Sequence, residues 1–203
     1  MKVSKEQVVA NRQAILDAAA RLFREHGFGG VGVAEISRAA GFTHGGFYRH
    51  FESKEALAAE VCTLAFNRSM AKLETRFAAG DGDASEYFRQ YLSLDHVVDP
   101  GNGCPMPTLA GDGARERGLV PAALAQGIGR YLQRLARQRP DGSVAAADAQ
   151  LEAADKARAI VSLSALVGGM VLARATHEAA PALSEEILQT LRRELEIFWR
   201  GER

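Results

Sequence analysis

Cysteine is scarce in this chain: Cys62 and Cys104 are the only two among 203 residues. Two thiols cannot staple a disulfide-dense secreted scaffold, and their number suits a reducing compartment. Net charge is equally scant, because Lys+Arg and Asp+Glu both total 25. A neutral molecule is not a general polyanion binder, although it leaves room for a local basic patch. Long apolar runs are missing too. The most apolar stretch, between Arg158 and Arg174, offers about 15 residues broken by Ser and Gly, too few to cross a bilayer. The polar start MKVSKEQ leads straight into a helical pattern and so excludes a secretory signal. No Gly-Lys-Ser/Thr follows Gly29, Gly30 and Gly32, which therefore read as a turn and not a phosphate loop. What is present is 47% hydrophobic content, enough for a real core. The expectation is a soluble cytoplasmic protein with no membrane segment.

The densest information lies in VAEISRAAGFTHGGFYRHFESKEAL, from Val33 to Leu57. Val33, Ile36 and Ala40 share one face of a short helix, and Gly41 supplies the left-handed residue that ends it. Thr43 is a suitable N-cap for a second short helix, with Phe47 and Phe51 spaced to pack inward against Ile36. The same helix turns Thr43, His44, Tyr48, Arg49 and His50 outward, with Lys54 just beyond. Hydroxyl, imidazole, phenol and cationic groups are those that bond phosphate oxygens and base edges. Two short helices joined by a glycine turn form a helix-turn-helix, whose second helix fits the DNA major groove. An ordinary helical hairpin is the alternative, but it leaves the crowded aromatic and basic face unexplained. Through Glu55 there are eight basic and six acidic residues, so DNA affinity must come from where charges point and from two copies acting together.

THGGFYRHFESKEAL resembles the recognition-helix signature of the TetR/AcrR family of regulators, Thr/Ser-x-x-x-Phe/Leu-Tyr-x-His/Tyr-Phe-x-Ser/Asn-Lys-Glu-x-Leu. Arg12, Ile15, Leu16, Ala18, Ala19, Phe23 and Gly27 fall where that family keeps its first-helix pattern, so the resemblance covers about the first 60 residues. It implies an all-α protein with a three-helix DNA-binding domain at residues 1–53 and a helical ligand-binding and dimerisation domain at 54–203. It also implies phosphate contacts from Tyr48, His50 and Lys54, and a hydroxyl at the helix start from Thr43. His44 and Arg49 are candidates for base reading. Gly45 and Gly46 offer no side chain, and each costs the helix about 1 kcal/mol relative to alanine, which makes sense if the backbone must approach DNA closely.

The remaining chain reads as helices throughout. Ser4 with Gln7 is a capping box for the first helix, Ser53 caps the fourth, and Asp83 with Glu86 repeats the box for a fifth. Along the fourth, Leu57, Val61 and Leu64 make one stripe while Cys62, Phe66, Met70, Leu73 and Phe77 make another, which suggests two partners and a mechanical link. DPGNGCPMP, from Asp99 to Pro107, must be a loop or an irregular start to a sixth helix. A seventh opens at Pro121 with Leu124, Ile128, Tyr131, Leu132 and Leu135 inside and Arg130, Arg134 and Arg137 outside. The last two, about 148–176 and 181–199, carry apolar faces of Ile160, Ser164, Val167, Val171 and Ala175 and of Leu188, Leu191, Leu195 and Phe198. In the family picture they pair with a second copy as a four-helix bundle, giving a homodimer that reads a palindromic operator in double-stranded DNA.

For an effector, Phe66, Met70, Tyr87, Phe88, Tyr91, His96, Met106, Tyr131 and Met170 could line an apolar cavity with a few polar handles. Cys104 lies in Gly103-Cys104-Pro105-Met106-Pro107-Thr108-Leu109-Ala110, which resembles the Gly-Cys-x-x-x-x-Leu-Ala motif of TetR-like ligand domains, electrophile sensors of the NemR kind among them. Two readings of this thiol stay open: a sensor at a helix mouth, or a small packed residue beside an ordinary pocket. Cys104 with His96 and Asp95 or Asp99 has the residue types of a cysteine hydrolase, but no oxyanion site accompanies them, so no enzyme is expected. His44, His50 and Cys62 lack zinc spacing, and neither metal nor cofactor is expected. The function expected is that of a transcriptional regulator, a repressor released from its operator by a small molecule or by thiol modification.

Overall fold

A computed structural model describes residues 4–79 and 84–202. Among the described residues ten α-helices follow one another: α1 Lys5–His26, α2 Val33–Ala39, α3 His44–Phe47, α4 Lys54–Ala79, α5 Ala84–Tyr91, α6 Leu94–Val98, α7 Met106–Gly113, α8 Leu119–Arg137, α9 Ala153–His177 and α10 Pro181–Arg200. Among the described residues there is no strand, only an isolated bridge between Gln138 and Val144. The fold class is all-α, as the periodicities imply.

Several ends form where local chemistry puts them. Ser4 Oγ accepts from the Gln7 amide at 3.1 Å, and Ser53 Oγ from the Ala56 amide at 3.0 Å, each satisfying a donor that a helix start leaves open. Gly27 at φ 74° and Gly41 at φ 80° close α1 and α2 in conformations that a side chain would strain. Thr43 is a correction. It takes the extended cap conformation, yet its hydroxyl makes no capping bond, because α3 is one turn long and is closed by the Gly46 amide on the Thr43 carbonyl at 2.9 Å. The expected Asp83 cap lies outside the described residues.

One more short helix, α6, capped by Ser93 on the His96 amide, precedes the segment expected to be irregular, and that segment holds a 3-10 turn over Pro100–Asn102 and the start of α7 at Met106. The start of α9 is also corrected, from about 148 to Ala153. The alanine-rich stretch before it is held out of helix by tertiary bonds: the Ala145 amide donates to the Arg137 carbonyl at 2.8 Å, and the Arg137 guanidinium bonds the Ala146 carbonyl.

The described chain divides into two compact units, Met1–Asn67 with Pro100–Gly127 and Arg68–Asp99 with Ile128–Arg203. The first has a core of Ile15, Phe23, Ile36, Phe47, Leu57, Val61 and Leu109, all buried. In the second, α9 and α10 pack closely enough that a Cβ on Gly169 would lie 2.1 Å from Leu191 Cδ1. The apolar face expected on α9 is the outward one, and one expectation about facing, at Arg134, is corrected here. The buried face of α9 is Ala159, Ser162, Leu163, Leu166, Gly169, Met170 and Ala173, whereas Ile160, Val161, Val171 and Leu172 point outward. Arg134, expected outside, is largely covered: its guanidinium lies 4.6 Å from the Phe77 ring centre and bonds Glu74 at 2.8 Å. Phe198 is partly exposed, and Trp199 takes the buried place at that end of α10.

Candidate nucleic-acid interface

The candidate surface is built on a small aromatic base. Phe47 and Phe51 are buried, their centroids 5.6 Å apart, and Arg12 stacks on Phe51 at 4.5 Å while pairing with Glu60. That base fixes the register of the turn between Thr43 and Ser53, because burying Phe47 obliges its neighbours to point away. Tyr48 is accordingly 55% exposed, and Thr43, His44, Gly45 and Arg49 are exposed with it. His50 and Lys54 are half-buried at the edge. His44 and Tyr48 meet edge to face at 5.6 Å, so the imidazole and the phenol form one patch. All eight residues expected at a DNA surface thus fall on one short stretch, and none is enclosed in the core.

The two glycines of α3 are not required by packing. A Cβ on Gly45 would meet nothing within 4 Å, and one on Gly46 would make ordinary contacts at 3.6 and 3.7 Å. Neither has a positive φ. The chain's own interior leaves room for a side chain at either position.

The candidate effector residues fall into two groups. In the first unit Phe66 is buried against Gly127, where a Cβ would lie 2.3 Å from its ring, and Cys104 and Met106 are buried. In the second unit Tyr87, Phe88, Tyr91, Tyr131 and Met170 are buried and Met70 and His96 half-buried. Tyr87 stands 6.1 Å from Phe88 and 5.8 Å from Tyr91, and Tyr91 4.7 Å from His96. The Tyr131 hydroxyl shares a 2.6 Å hydrogen bond with Ser69. Burial drives the His96 imidazole down to about 4, reinforced by the charges of Arg174, Arg76 and Lys72 against a hydrogen bond to the Tyr91 carbonyl. Burial likewise pushes the Cys62 thiol up to about 12, which leaves it unreactive near neutrality.

Sequence reasoning missed Trp199. It is buried edge-on to Phe88 at 5.4 Å under the Arg158 guanidinium, and its indole nitrogen, like Ser162 Oγ, has no hydrogen-bond partner among the described residues. The signal was present, since 188, 195 and 199 continue one helical face. Among the described residues no group of three or more His, Cys, Asp or Glu could hold a metal ion. By length and composition α9 could cross a membrane, but it is here packed along one side by α10.

Residues 15–61 match the family described as bacterial regulatory proteins, tetR family. The chain is 36% identical over 97 residues to the HTH-type transcriptional regulator AcrR of Shigella flexneri, covering 47% of this chain and 44% of that protein. It is 42% identical over 93 residues to the HTH-type transcriptional repressor DhaR of Mycobacterium sp. strain GP1, covering 46% and 47% respectively. The chain thus spans less than half the length of these curated relatives. Among solved structures, a TetR-family regulator from Cytophaga hutchinsonii superposes with a TM-score of 0.71 at 19% identity, covering 96% of both chains. The reduced form of E. coli NemR gives 0.70 at 20% identity, covering 91% of this chain and 96% of that one. At such identities the likeness is one of fold, and it extends over both units.

Proposed function

We propose that this chain, which carries the DNA-binding domain of the TetR family on a TetR-like helical fold, is a cytoplasmic, homodimeric transcriptional repressor released from a palindromic operator by a small-molecule effector. The observation that carries the reading is the arrangement at α3, where a fully buried Phe47 forces Tyr48 and Arg49 outward beside His44. Tyr48, His50 and Lys54 take phosphate oxygens, with Thr43 at the helix start. His44 and Arg49 reach base edges, and Gly45 and Gly46 let the backbone come close. Residues 1–53 form the reading domain and 54–203 the ligand-binding and dimerisation domain.

Dimerisation is supported by α9 and α10. Ile160, Val161, Val171, Leu172 and Leu183 are each more than two-fifths exposed, and with Phe198 they form outward apolar side chains on the last two helices. A monomer gains nothing from such a face, whereas a second copy covers it and supplies the two-fold symmetry that paired half-sites need.

The effector is an apolar molecule with a few polar atoms, held among Met70, Tyr87, Phe88, Tyr91, His96, Tyr131 and Met170 of the second unit, with Cys104 of the first unit as a second point of input through modification. It acts by binding better to the form whose recognition helices are wrongly spaced for successive major grooves. α4 runs from Lys54 in one unit to Ala79 in the other and carries the change.

The test is selection from a random duplex pool at about 50 and 200 mM salt, where a protein making several phosphate contacts loses orders of magnitude in affinity. Retention of a palindromic consensus with that salt dependence is the expected result. A dimer that enriches no sequence at either ionic strength removes the reading.

A further inference from the structure

Residues 100–127 follow α6 in the chain, yet they belong to the compact unit that contains α1, α2 and α3. Two attachments of this strap, one to the end of α1 and one to the start of α4, are built alike. At the end of α1, Gly27 adopts φ 74°, and the next amide, Phe28 N–H, donates to Asp112 Oδ2 of α7 at 2.9 Å. At the start of α8, Gly118 adopts φ 70°, and the next amide, Leu119 N–H, donates to Glu55 Oε1 of α4 at 2.9 Å. In both places the carboxylate occupies the space of the missing side chain, because a Cβ on Gly27 would lie 2.1 Å from Asp112 Oδ2 and one on Gly118 2.1 Å from Glu55 Oε1. The arrangement is reciprocal: the strap supplies the carboxylate for the glycine turn that ends α1, and the first turn of α4 supplies one for the glycine turn of the strap. A third tie lies beside the first, where the buried Arg24 donates from Nε to the Gly101 carbonyl at 2.7 Å and also from Nη2.

We infer that Asp112 and Glu55, with Arg24, are positioning residues for DNA reading: they latch the 100–127 strap to the end of α1 and to the start of α4, the two helices that frame α2 and α3, so strap and operator control each other. This rests on the DNA-reading proposal above and names the regulation of that site. Both glycines are fixed twice, by a left-handed φ and by a carboxylate at van der Waals exclusion, so each latch has one geometry and is either closed or broken. None of the three side chains belongs to the exposed patch around Tyr48. They act by fixing where α1 and α4 start and stop, and through them the position of α3. Linkage then requires reciprocity: if a closed strap favours DNA, DNA must hold the strap closed to the same degree.

The strap contains its own reporter. Cys104 lies between Gly101 and Asp112 in sequence and is only 6% exposed, so its thiol meets a reagent when the strap opens. The experiment measures alkylation of Cys104 by iodoacetamide, read by peptide mass, with and without a saturating duplex from the selected pool. Cys62 serves as the unreactive internal control. For the parent we expect DNA to slow Cys104 alkylation at least tenfold. Asp112→Ala and Glu55→Ala should each speed it without DNA, lower duplex affinity about tenfold, and leave the salt slope unchanged, because no phosphate contact is lost. Lys54→Ala should do the reverse, flattening the slope without exposing Cys104. An equal alkylation rate for the parent with and without bound duplex overturns the inference while leaving DNA reading intact, and this measurement needs no variant to fold. Failure of the parent to bind any duplex overturns both. Because Glu55 is solvent-exposed, Glu55→Ala keeps the test available should Asp112→Ala not fold.

Discussion

The His96 ring stands perpendicular to that of Tyr91, centroids 4.7 Å apart at 89°, and its Nδ1 donates to the Tyr91 backbone carbonyl at 2.7 Å. The bond fixes the neutral tautomer with its proton on Nδ1, and burial beside Arg174, Arg76 and Lys72 resists a second proton. Unfolded, this imidazole titrates near 6.5; folded, near 4. Between those values the unfolded chain binds more protons, so stability is full above about pH 6.5 and falls as pH drops toward 4. A depression of that size corresponds to about 3 kcal/mol at most. Urea denaturation at pH 7 and pH 4.5 should show a smaller loss for His96→Gln than for the parent. Equal losses would mean the imidazole is not held neutral.

Gly45 and Gly127 look alike in sequence and differ in space. Alanine at 127 drives a Cβ to 2.3 Å from the Phe66 ring, and overpacking of that kind costs about 1–3 kcal/mol. Alanine at 45 meets nothing within 4 Å and gains up to about 1 kcal/mol of helix propensity. Thermal melts should therefore move down for Gly127→Ala and stay level or rise for Gly45→Ala. Operator binding should nonetheless weaken for Gly45→Ala, since the new methyl can clash only with the DNA.

Tyr48→Ala and Lys54→Ala remove side chains that the interior does not need. Melting temperatures should move by less than that of any core truncation, while affinity falls for every duplex tested. Each lost phosphate contact should also reduce the slope of log affinity against log salt by about 1. Unchanged slopes would take these two residues off the backbone. Arg49→Ala should relax preference at one or two base positions of the selected consensus.

How much of this was legible without coordinates depended on whether the cause was local. Ser4, Gly27, Gly41 and Ser53 act on amides three residues away or on their own φ, so the frame of α1, α2 and α4 could be read directly. The outward patch followed from Phe47 and Phe51, because burying two rings on one turn decides where the others point. The start of α9 could not be read, since Ala145 and Ala146 are good helix formers overruled by bonds to Arg137. Nor could the strap be assigned to the reading domain: Asp112 and Phe28 are 84 residues apart, and nothing in either stretch names the other.

The same difficulty hid which side of α9 faces inward, and that ambiguity supplies a final test. The helix has two apolar faces, one with Leu163, Leu166 and Met170 buried, the other with Ile160 51% and Val171 42% exposed. Periodicity detects both but cannot say which is covered by its own chain. Leu166→Ala empties a packed site and should cost about 2–5 kcal/mol, seen as a lowered urea midpoint. Val171→Glu places a charge on the outward face, where an isolated chain has little to lose, so the fold of each subunit should persist. If a second copy covers this face, however, the charge is desolvated without a partner and the dimer dissociates. Sedimentation velocity should then give a monomer, and operator affinity should collapse by more than a hundredfold, because one recognition helix holds only a half-site. A Val171→Glu protein that sediments as the parent does would place the subunit contact elsewhere.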